Sequence, residues 1–71
     1  MNTAEIVKEA RKRKGLTIKQ LAEKSGLHVQ TIYNIEHARN VPTMDTMLML
    51  MRAMDYDIVF KPKYKGGYYG D

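Results

Sequence analysis

The sequence lacks the residues with which many small secreted proteins are cross-linked. Its 71 residues contain no cysteine, which excludes disulfides and thiolate metal sites. A chain this short has a small core, so a second subunit is a common source of extra stability. No apolar run approaches the roughly 20 residues that span a bilayer, and residues 1–20 are too regularly charged for a signal peptide. We therefore expect one small cytoplasmic domain that does not enter a membrane.

Positive charge is concentrated in the first half of the chain. Residues 1–40 contain eight Lys or Arg against four Glu, whereas residues 41–71 contain four charges of each sign. The formal net charge of +4 therefore arises entirely from the first half. One-sided basicity favours a polyanionic partner, most simply nucleic acid, although a solvated basic helix would give the same count.

Capping signals and apolar spacing predict four short helices. Asn2 and Thr17 each precede, by three residues, a Glu or Gln that completes a capping box. Thr43 begins the last helix, for which a helical wheel predicts a methionine-rich core face. The members of that face are Met44, Met47, Leu48, Met51 and Met54. Met49 and Leu50 lie off it, and a partner-binding role stays open for them.

A single strand is predicted after the helices, over residues 56–61. Tyr56, Ile58 and Phe60 alternate with more polar positions, and Pro62 ends the pattern. A lone strand leaves its backbone hydrogen-bonding groups unpaired, so we expect it to pair with the same strand of a second copy. Folding against its own helices, or pairing with a foreign partner, are the alternatives. The residues assigned to this dimerisation strand are Tyr56, Ile58, Val59 and Phe60.

Two helices around Gly26 have the helix-turn-helix pattern, the first over about 17–24 and the second over about 28–37. Ile32 and Ile35 fix the inward side of the second helix, and at about 100° per residue the polar residues turn away from it. The N-terminal half of such a helix enters the DNA major groove. The residues predicted to read bases there are Val29, Gln30, Thr31 and Asn34.

These side chains suit particular base edges. Gln30 can form a bidentate pair with adenine N6 and N7, and Val29 or the Thr31 methyl can contact a thymine methyl. Asn34 can reach a base or a phosphate. An ordinary polar solvent face is the alternative. No metal, cofactor or catalytic motif is apparent, so we expect no enzyme.

The stretch from Ile6 to Met54 resembles a known family. The segments "GLTIKQLAEKSG" and "TIYNIE" are similar to the Cro/repressor-type, or xenobiotic-response-element, helix-turn-helix family. The resemblance implies an all-α bundle of four to five short helices that binds operator DNA as a dimer. It also implies that Arg11 and Glu36 form an internal ion pair. The residues assigned to DNA phosphates are Lys19, Gln20, Arg39 and Asn40, together with the neighbouring Tyr33.

Three residues depart from the family pattern. Ala38 and Asp55 stand where the family usually has glycine, and His28 replaces the usual Ser or Thr N-cap. We therefore expect the exit of the third helix to bend differently. The ending "MDYDIVFKPK" is similar to HipB-like antitoxins, which pair with a kinase-like toxin and repress their own promoters.

The combined prediction is a homodimeric, sequence-specific regulator of transcription that binds double-stranded DNA, most simply as a repressor. Residues 1–62 form the DNA-binding domain with its dimerisation strand, and residues 63–71 form a flexible tail. An antitoxin that binds and neutralises a toxin protein and autoregulates its operon is the alternative. Single-stranded RNA binding is weaker, because Tyr33 alone offers a stacking platform in the basic half.

Overall fold

The computed structural model describes residues 1–63, which form four α-helices. The helices are α1 (Thr3–Arg13), α2 (Ile18–Ser25), α3 (Val29–Glu36) and α4 (Met44–Ala53). The all-α class predicted from the sequence is confirmed for these residues, with four helices rather than five. The predicted tail over residues 63–71 lies, apart from Lys63, outside the described residues.

Side-chain caps begin three of the helices. The Asn2 Oδ1 accepts from the Glu5 N–H at 2.9 Å, and the Glu5 Oε1 accepts from the Asn2 N–H at 3.0 Å. Thr17 and Gln20 form the same reciprocal pair, at 3.0 and 2.9 Å. Thr43 caps α4 by accepting from a first-turn N–H at 3.2 Å. The capping signals in the sequence therefore place the starts of these helices correctly, because each box satisfies N–H groups that have no partner within the helix.

Three helix ends share one backbone motif with a left-handed residue after the last turn. This residue is Gly15 after α1 (φ 69°), Ala38 after α3 (φ 57°) and Asp55 after α4 (φ 63°). In each case it donates to the carbonyl three residues back, and the next residue donates to the carbonyl five back, which is the Schellman pairing. The exit of α3 therefore has the geometry that a glycine favours. Because Ala38 and Asp55 carry a Cβ, each stores strain of about 1 kcal/mol.

The core lies where the four helices meet. Its fully buried large side chains are Val7, Leu21, Ile32, Ile35, Leu50 and Met54. The predicted core face of α4 is partly wrong, since Leu50 is fully buried whereas Met44 is 49% exposed. The inward row of α4 consists of residues 47, 50, 51 and 54, with i, i+3, i+4, i+7 spacing. The helix packs against α2 and α1, and this row joins the core whereas Met44 does not.

The strand predicted over residues 56–61 does not form in the described chain. Tyr56 and Ile58 pack, half-buried, against the core, whereas Val59 and Phe60 are 70% and 76% exposed. Beyond the Tyr56 N–H, no backbone–backbone hydrogen bond is made by the rest of this stretch within residues 1–63. The physical reason is that a strand needs a neighbour for its ladder, and four helices supply none. Residues 57–61 are termed the extended segment below.

Candidate nucleic-acid interface

The turn between α2 and α3 sets how the two helices cross. Gly26 has φ 80°, and its N–H donates to the Ala22 carbonyl at 2.9 Å. Leu27 then packs, half-buried, against the core, and the Ser25 Oγ accepts from the Leu27 N–H at 3.3 Å. Glycine takes this left-handed conformation without strain, which is why the chain can reverse within so few residues. The result is a helix-turn-helix.

The third helix buries one side and leaves the other accessible. Ile32 and Ile35 are only 0% and 2% exposed. The N-cap residue His28, directly before the helix, makes no side-chain capping bond, so the first-turn N–H groups have no acceptor from the cap. The four residues predicted to read bases lie outside the core. Val29 and Gln30 are exposed, and Thr31 and Asn34 are half-buried. These four residues are termed the α3 surface.

A hydrogen bond links two residues of the α3 surface. The Gln30 Nε2 donates to the Asn34 Oδ1 at 3.0 Å, across one helical turn. Pairs at i and i+4 are neighbours on a helix, and Gln–Asn pairs of this kind are favourable. The two amide groups are therefore held relative to each other before any ligand binds.

An aromatic and cationic cluster occupies the C-terminal end of α3. The rings of Tyr33 and His37 stack with their centroids 3.9 Å apart and their planes at 21°. The His37 Nδ1 lies 2.8 Å from the Tyr33 carbonyl oxygen. Because a carbonyl only accepts, this contact places a proton on Nδ1 and leaves Nε2 available. The Arg39 guanidinium lies 5.5 Å from the centroid of the Tyr33 ring, within cation–π range. These three residues are termed the Tyr33 cluster.

The residues predicted to bind phosphates lie at two places. Lys19 and Gln20 are exposed in the first turn of α2. The Gln20 Oε1 is used in the capping box, while its amide N–H groups remain donors. Arg39 and Asn40 are exposed directly after α3, and their backbone N–H groups donate to one α3 carbonyl at 2.8 and 3.3 Å. The backbone is thus fixed at both places while polar side chains stay accessible.

A buried ion pair ties α3 to α1. The Arg11 Nε donates to the Glu36 Oε2 at 2.7 Å, and its Nη2 donates to Oε1 at 3.0 Å. The side chains are 13% and 1% exposed, and the Arg11 Nη1 also donates to the Leu16 carbonyl at 2.7 Å. The hydrogen bond with Glu36 raises the pKa of Arg11 above its ordinary value, against the opposing effect of burial. Arg11 is therefore committed to the fold and is not a free phosphate ligand.

A second, apolar surface lies between α1, α4 and the extended segment. It is a cleft of about 440 Å³ to which neither α2 nor α3 contributes. Its apolar lining includes Met1, Ile6, Met44, Met47, Tyr56 and Ile58. The Lys14 Nζ lies 4.8 Å from the centroid of the Tyr56 ring, and this cation–π contact stabilises the position of Tyr56 in the lining. This cleft is termed the α1–α4 groove.

The sequence did not indicate two of these features. Tyr33 and His37 have the i, i+4 spacing at which side chains meet on a helix, and that spacing was the available signal for the Tyr33 cluster. The α1–α4 groove had a weaker signal, because its walls come from segments far apart in the chain. Met44 and Met47 belong to the predicted core face of α4, whereas Tyr56 and Ile58 belong to the predicted strand.

Other kinds of site find little support in residues 1–63. None of the four helices is long and apolar enough to cross a membrane. No group of three His, Asp or Glu side chains in this part of the chain is placed to hold a metal ion.

A protein-family model described as helix-turn-helix, HTH_3, matches residues 7–61. The match covers well over half of the chain, so the protein belongs to this family of transcriptional regulators that bind double-stranded DNA. The predicted xenobiotic-response-element type is thereby confirmed. The family's domain is regulatory rather than catalytic, which fits a protein that is not an enzyme. A search of curated proteins found no match.

Proposed function

We propose that the protein is a homodimeric repressor that reads operator DNA with the α3 surface. The observation that carries this proposal is the arrangement of α3, whose first turn is exposed while its two isoleucines anchor it in a helix-turn-helix. An anchored helix with an accessible N-terminal turn is what the major groove admits. Family membership supports DNA as the ligand.

Within the α3 surface, the side chains divide between polar and apolar readout. The Gln30 carboxamide is exposed and carries both donors and an acceptor, which suits adenine N6 and N7. Val29 is 47% exposed, although it is apolar, and its methyl groups suit a thymine methyl. The half-buried Thr31 supplies a second methyl group beside them.

Phosphate contacts would hold this helix in register. Lys19 and Gln20 at the start of α2, and Arg39 and Asn40 after α3, supply exposed donors on both sides of the recognition helix in sequence. Tyr33 contributes by supporting the Arg39 guanidinium. Each phosphate neutralised by a cation lowers the slope of log K against log salt by about 0.9, so binding by this set is salt-dependent.

Dimerisation would use the extended segment. Tyr56, directly before it, and Ile58 within it pack against the core, while Val59 and Phe60 are exposed. An antiparallel pair of these segments across a two-fold axis would satisfy the backbone groups along the shared edge and bring each apolar side chain beside the partner segment. Two α3 helices then meet half-sites about one DNA turn apart, roughly 34 Å. If the operator overlaps a promoter, the bound dimer excludes polymerase, which is repression.

Selection from a random duplex library tests this proposal. The recovered duplex and a scrambled duplex of equal length are then titrated by fluorescence anisotropy at about 50 and 200 mM salt. We expect the recovered site to contain two related half-sites, to bind at least about 1,000-fold tighter than the scrambled duplex, and to weaken steeply with salt. Equal affinity for both duplexes would contradict sequence-specific regulation.

A second candidate function is the antitoxin of a HipB-like pair, and the exposed Val59 and Phe60 beside the apolar α1–α4 groove favour it. The test is co-expression with the protein encoded by the neighbouring gene. An antitoxin would relieve growth arrest caused by that protein and would co-purify with it in fixed stoichiometry. A neighbour that causes no arrest and forms no complex would leave only the regulator.

A further inference from the structure

We propose that Asn34 acts on DNA through Gln30, as a positioning residue that fixes the Gln30 carboxamide for one adenine. The inference rests on the proposed function and deepens it. It begins from the single side-chain hydrogen bond within the α3 surface, from the Gln30 Nε2 to the Asn34 Oδ1 at 3.0 Å.

The bond leaves the groups that adenine requires. A glutamine amide has two N–H donors and an oxygen with two lone pairs, and the bond to Asn34 uses one donor. The Gln30 Oε1 and the second N–H remain, and these can accept from adenine N6 and donate to adenine N7. Asn34 therefore supports the bidentate pair without competing for it.

The same bond restricts what else Gln30 can read. A free glutamine can turn its amide over and present its donors to guanine O6 and N7 or to thymine O4. Turning the Gln30 amide alone would set its Oε1 against the Asn34 Oδ1, two acceptors without a proton between them. Asn34 thus favours one orientation of Gln30 as long as the Asn34 amide keeps its own orientation.

Burial explains why Asn34 is suited to this task. Asn34 is half-buried whereas Gln30 is exposed, and the Asn34 carbonyl accepts the N–H groups of Arg39 and Asn40 at 2.8 and 3.3 Å. The backbone of Asn34 is therefore held in the closing turn of α3. Its side chain is the less exposed partner, and the exposed Gln30 is the one that reaches a base.

A double-mutant cycle on the selected duplex tests the inference. Wild type, Gln30→Ala, Asn34→Ala and the double variant are titrated against that duplex and against duplexes changed at each base pair. We expect Gln30→Ala to weaken binding by about 5- to 150-fold for each half-site, the range for one bidentate pair. Asn34→Ala should give a smaller loss that disappears in the Gln30→Ala background, and both should relax preference at the same base pair.

Asn34→Asp is the conservative control. Its carboxylate still accepts from the Gln30 Nε2, so the adenine preference at that base pair should be retained while all duplexes bind more weakly through phosphate repulsion. Circular dichroism checks that each variant remains helical. A merely structural role for Asn34 would lower affinity in both Asn34 variants without moving the preference at one base pair, and this result would overturn the inference.

The two possible failures are distinguishable. If the losses from Gln30→Ala and Asn34→Ala simply add, and preference relaxes at two different base pairs, then Asn34 reads a base itself and the inference is wrong while the proposed function stands. If no variant changes discrimination between duplexes, base reading by the α3 surface fails, and the inference fails with it.

Discussion

The α3 surface and the α1–α4 groove differ in how their exposed side chains are held. On the α3 surface, Asn34 restrains Gln30 through a hydrogen bond, and in the neighbouring Tyr33 cluster the Tyr33 ring contacts the Arg39 guanidinium. In the groove, apolar side chains face solvent, with Ile6 40% and Met44 49% exposed. Polar groups held in advance suit a polar ligand, because less side-chain freedom is lost on binding.

The comparison shows that the proposed DNA-reading surface and the apolar groove occupy separate parts of one small chain. The groove is formed by α1, α4 and the extended segment, and no residue of α2 or α3 lines it. Exposed apolar surface of this kind commonly marks a protein interaction site. Variants in one surface should therefore leave the other intact, unless they disrupt the fold that supports both.

The largest expected effect comes from the ion pair that supports both surfaces. Glu36→Gln keeps the shape of the side chain but leaves Arg11 with a poorly compensated, mostly buried charge. We expect the free energy of unfolding to fall by about 3 kcal/mol, measured by urea denaturation. The double variant Arg11→Met, Glu36→Leu should recover part of this loss, because neither charge then remains buried. A Glu36→Gln protein as stable as wild type would contradict a structural role for the pair.

Alkaline pH should not break this ion pair. The raised pKa of Arg11 means that its contribution to stability is fully present below the ordinary arginine pKa and is lost as the pH rises through the raised one. Between pH 6 and 9 the difference in stability between wild type and Glu36→Gln should therefore be constant. A difference that shrinks over this range would point to another titrating group.

A charge on the extended segment should weaken the proposed dimer. Val59 is 70% exposed, and Val59→Asp would place a carboxylate in the proposed dimer contact. We expect the dimer to weaken by about 2 kcal/mol, roughly thirty-fold in its Kd, measured by analytical ultracentrifugation. Val41→Asp is the matched control, since Val41 is 86% exposed and lies outside the segment. Equal effects of the two substitutions would remove the segment from the interface.

Substitutions of the left-handed residues after α1, α3 and α4 should change the free energy of unfolding by about 1 kcal/mol, in a direction that depends on whether glycine is introduced or removed. Ala38→Gly and Asp55→Gly relieve strain at the exits of α3 and α4 and should stabilise the protein, Asp55 less because aspartate tolerates this conformation better. Gly15→Ala should destabilise it by a similar amount. An added Cβ at Gly15 meets no atom within 4 Å, so this variant isolates the backbone cost. Thermal unfolding measures all three, and a stabilising Gly15→Ala would refute the explanation by strain.

The smallest expected effect concerns the Tyr33 cluster. Tyr33→Leu removes the ring that contacts both His37 and Arg39, and we expect DNA binding to weaken by about 0.5–1 kcal/mol on all duplexes alike. Tyr33→Phe keeps the ring and should retain most of the affinity. Fluorescence anisotropy distinguishes the two variants. If Tyr33→Phe loses as much as Tyr33→Leu, the hydroxyl rather than the ring makes the contact.

Local signals in the sequence predicted most of the fold. The capping boxes at Asn2 and Thr17 and the turn at Gly26 depend on residues a few positions apart, and the structure has them as expected. Features set by tertiary packing were less predictable. Leu50 rather than Met44 became the centre of the α4 face, because the neighbouring helices decide which side of an apolar helix is buried.

The candidate site shows the same division. The inward isoleucines of α3 predicted which residues stay accessible, because helical periodicity is local. The contact of Arg39 with Tyr33 was not predicted, because Arg39 lies beyond the helix and its position depends on the left-handed turn at Ala38. The strand failed for a different reason, since alternation describes a preference that only a neighbouring strand can satisfy.

Binding of DNA at the α3 surface is tested most directly by an NMR titration of the ¹⁵N-labelled protein with the selected duplex. Backbone amide shifts are followed at a protein concentration where added DNA does not change the oligomeric state. We predict that the largest changes fall on Lys19, Gln20 and residues 28–40, while Ile6, Met44 and Met47 in the groove change little. Large changes confined to the groove, with α3 unaffected, would contradict the assignment.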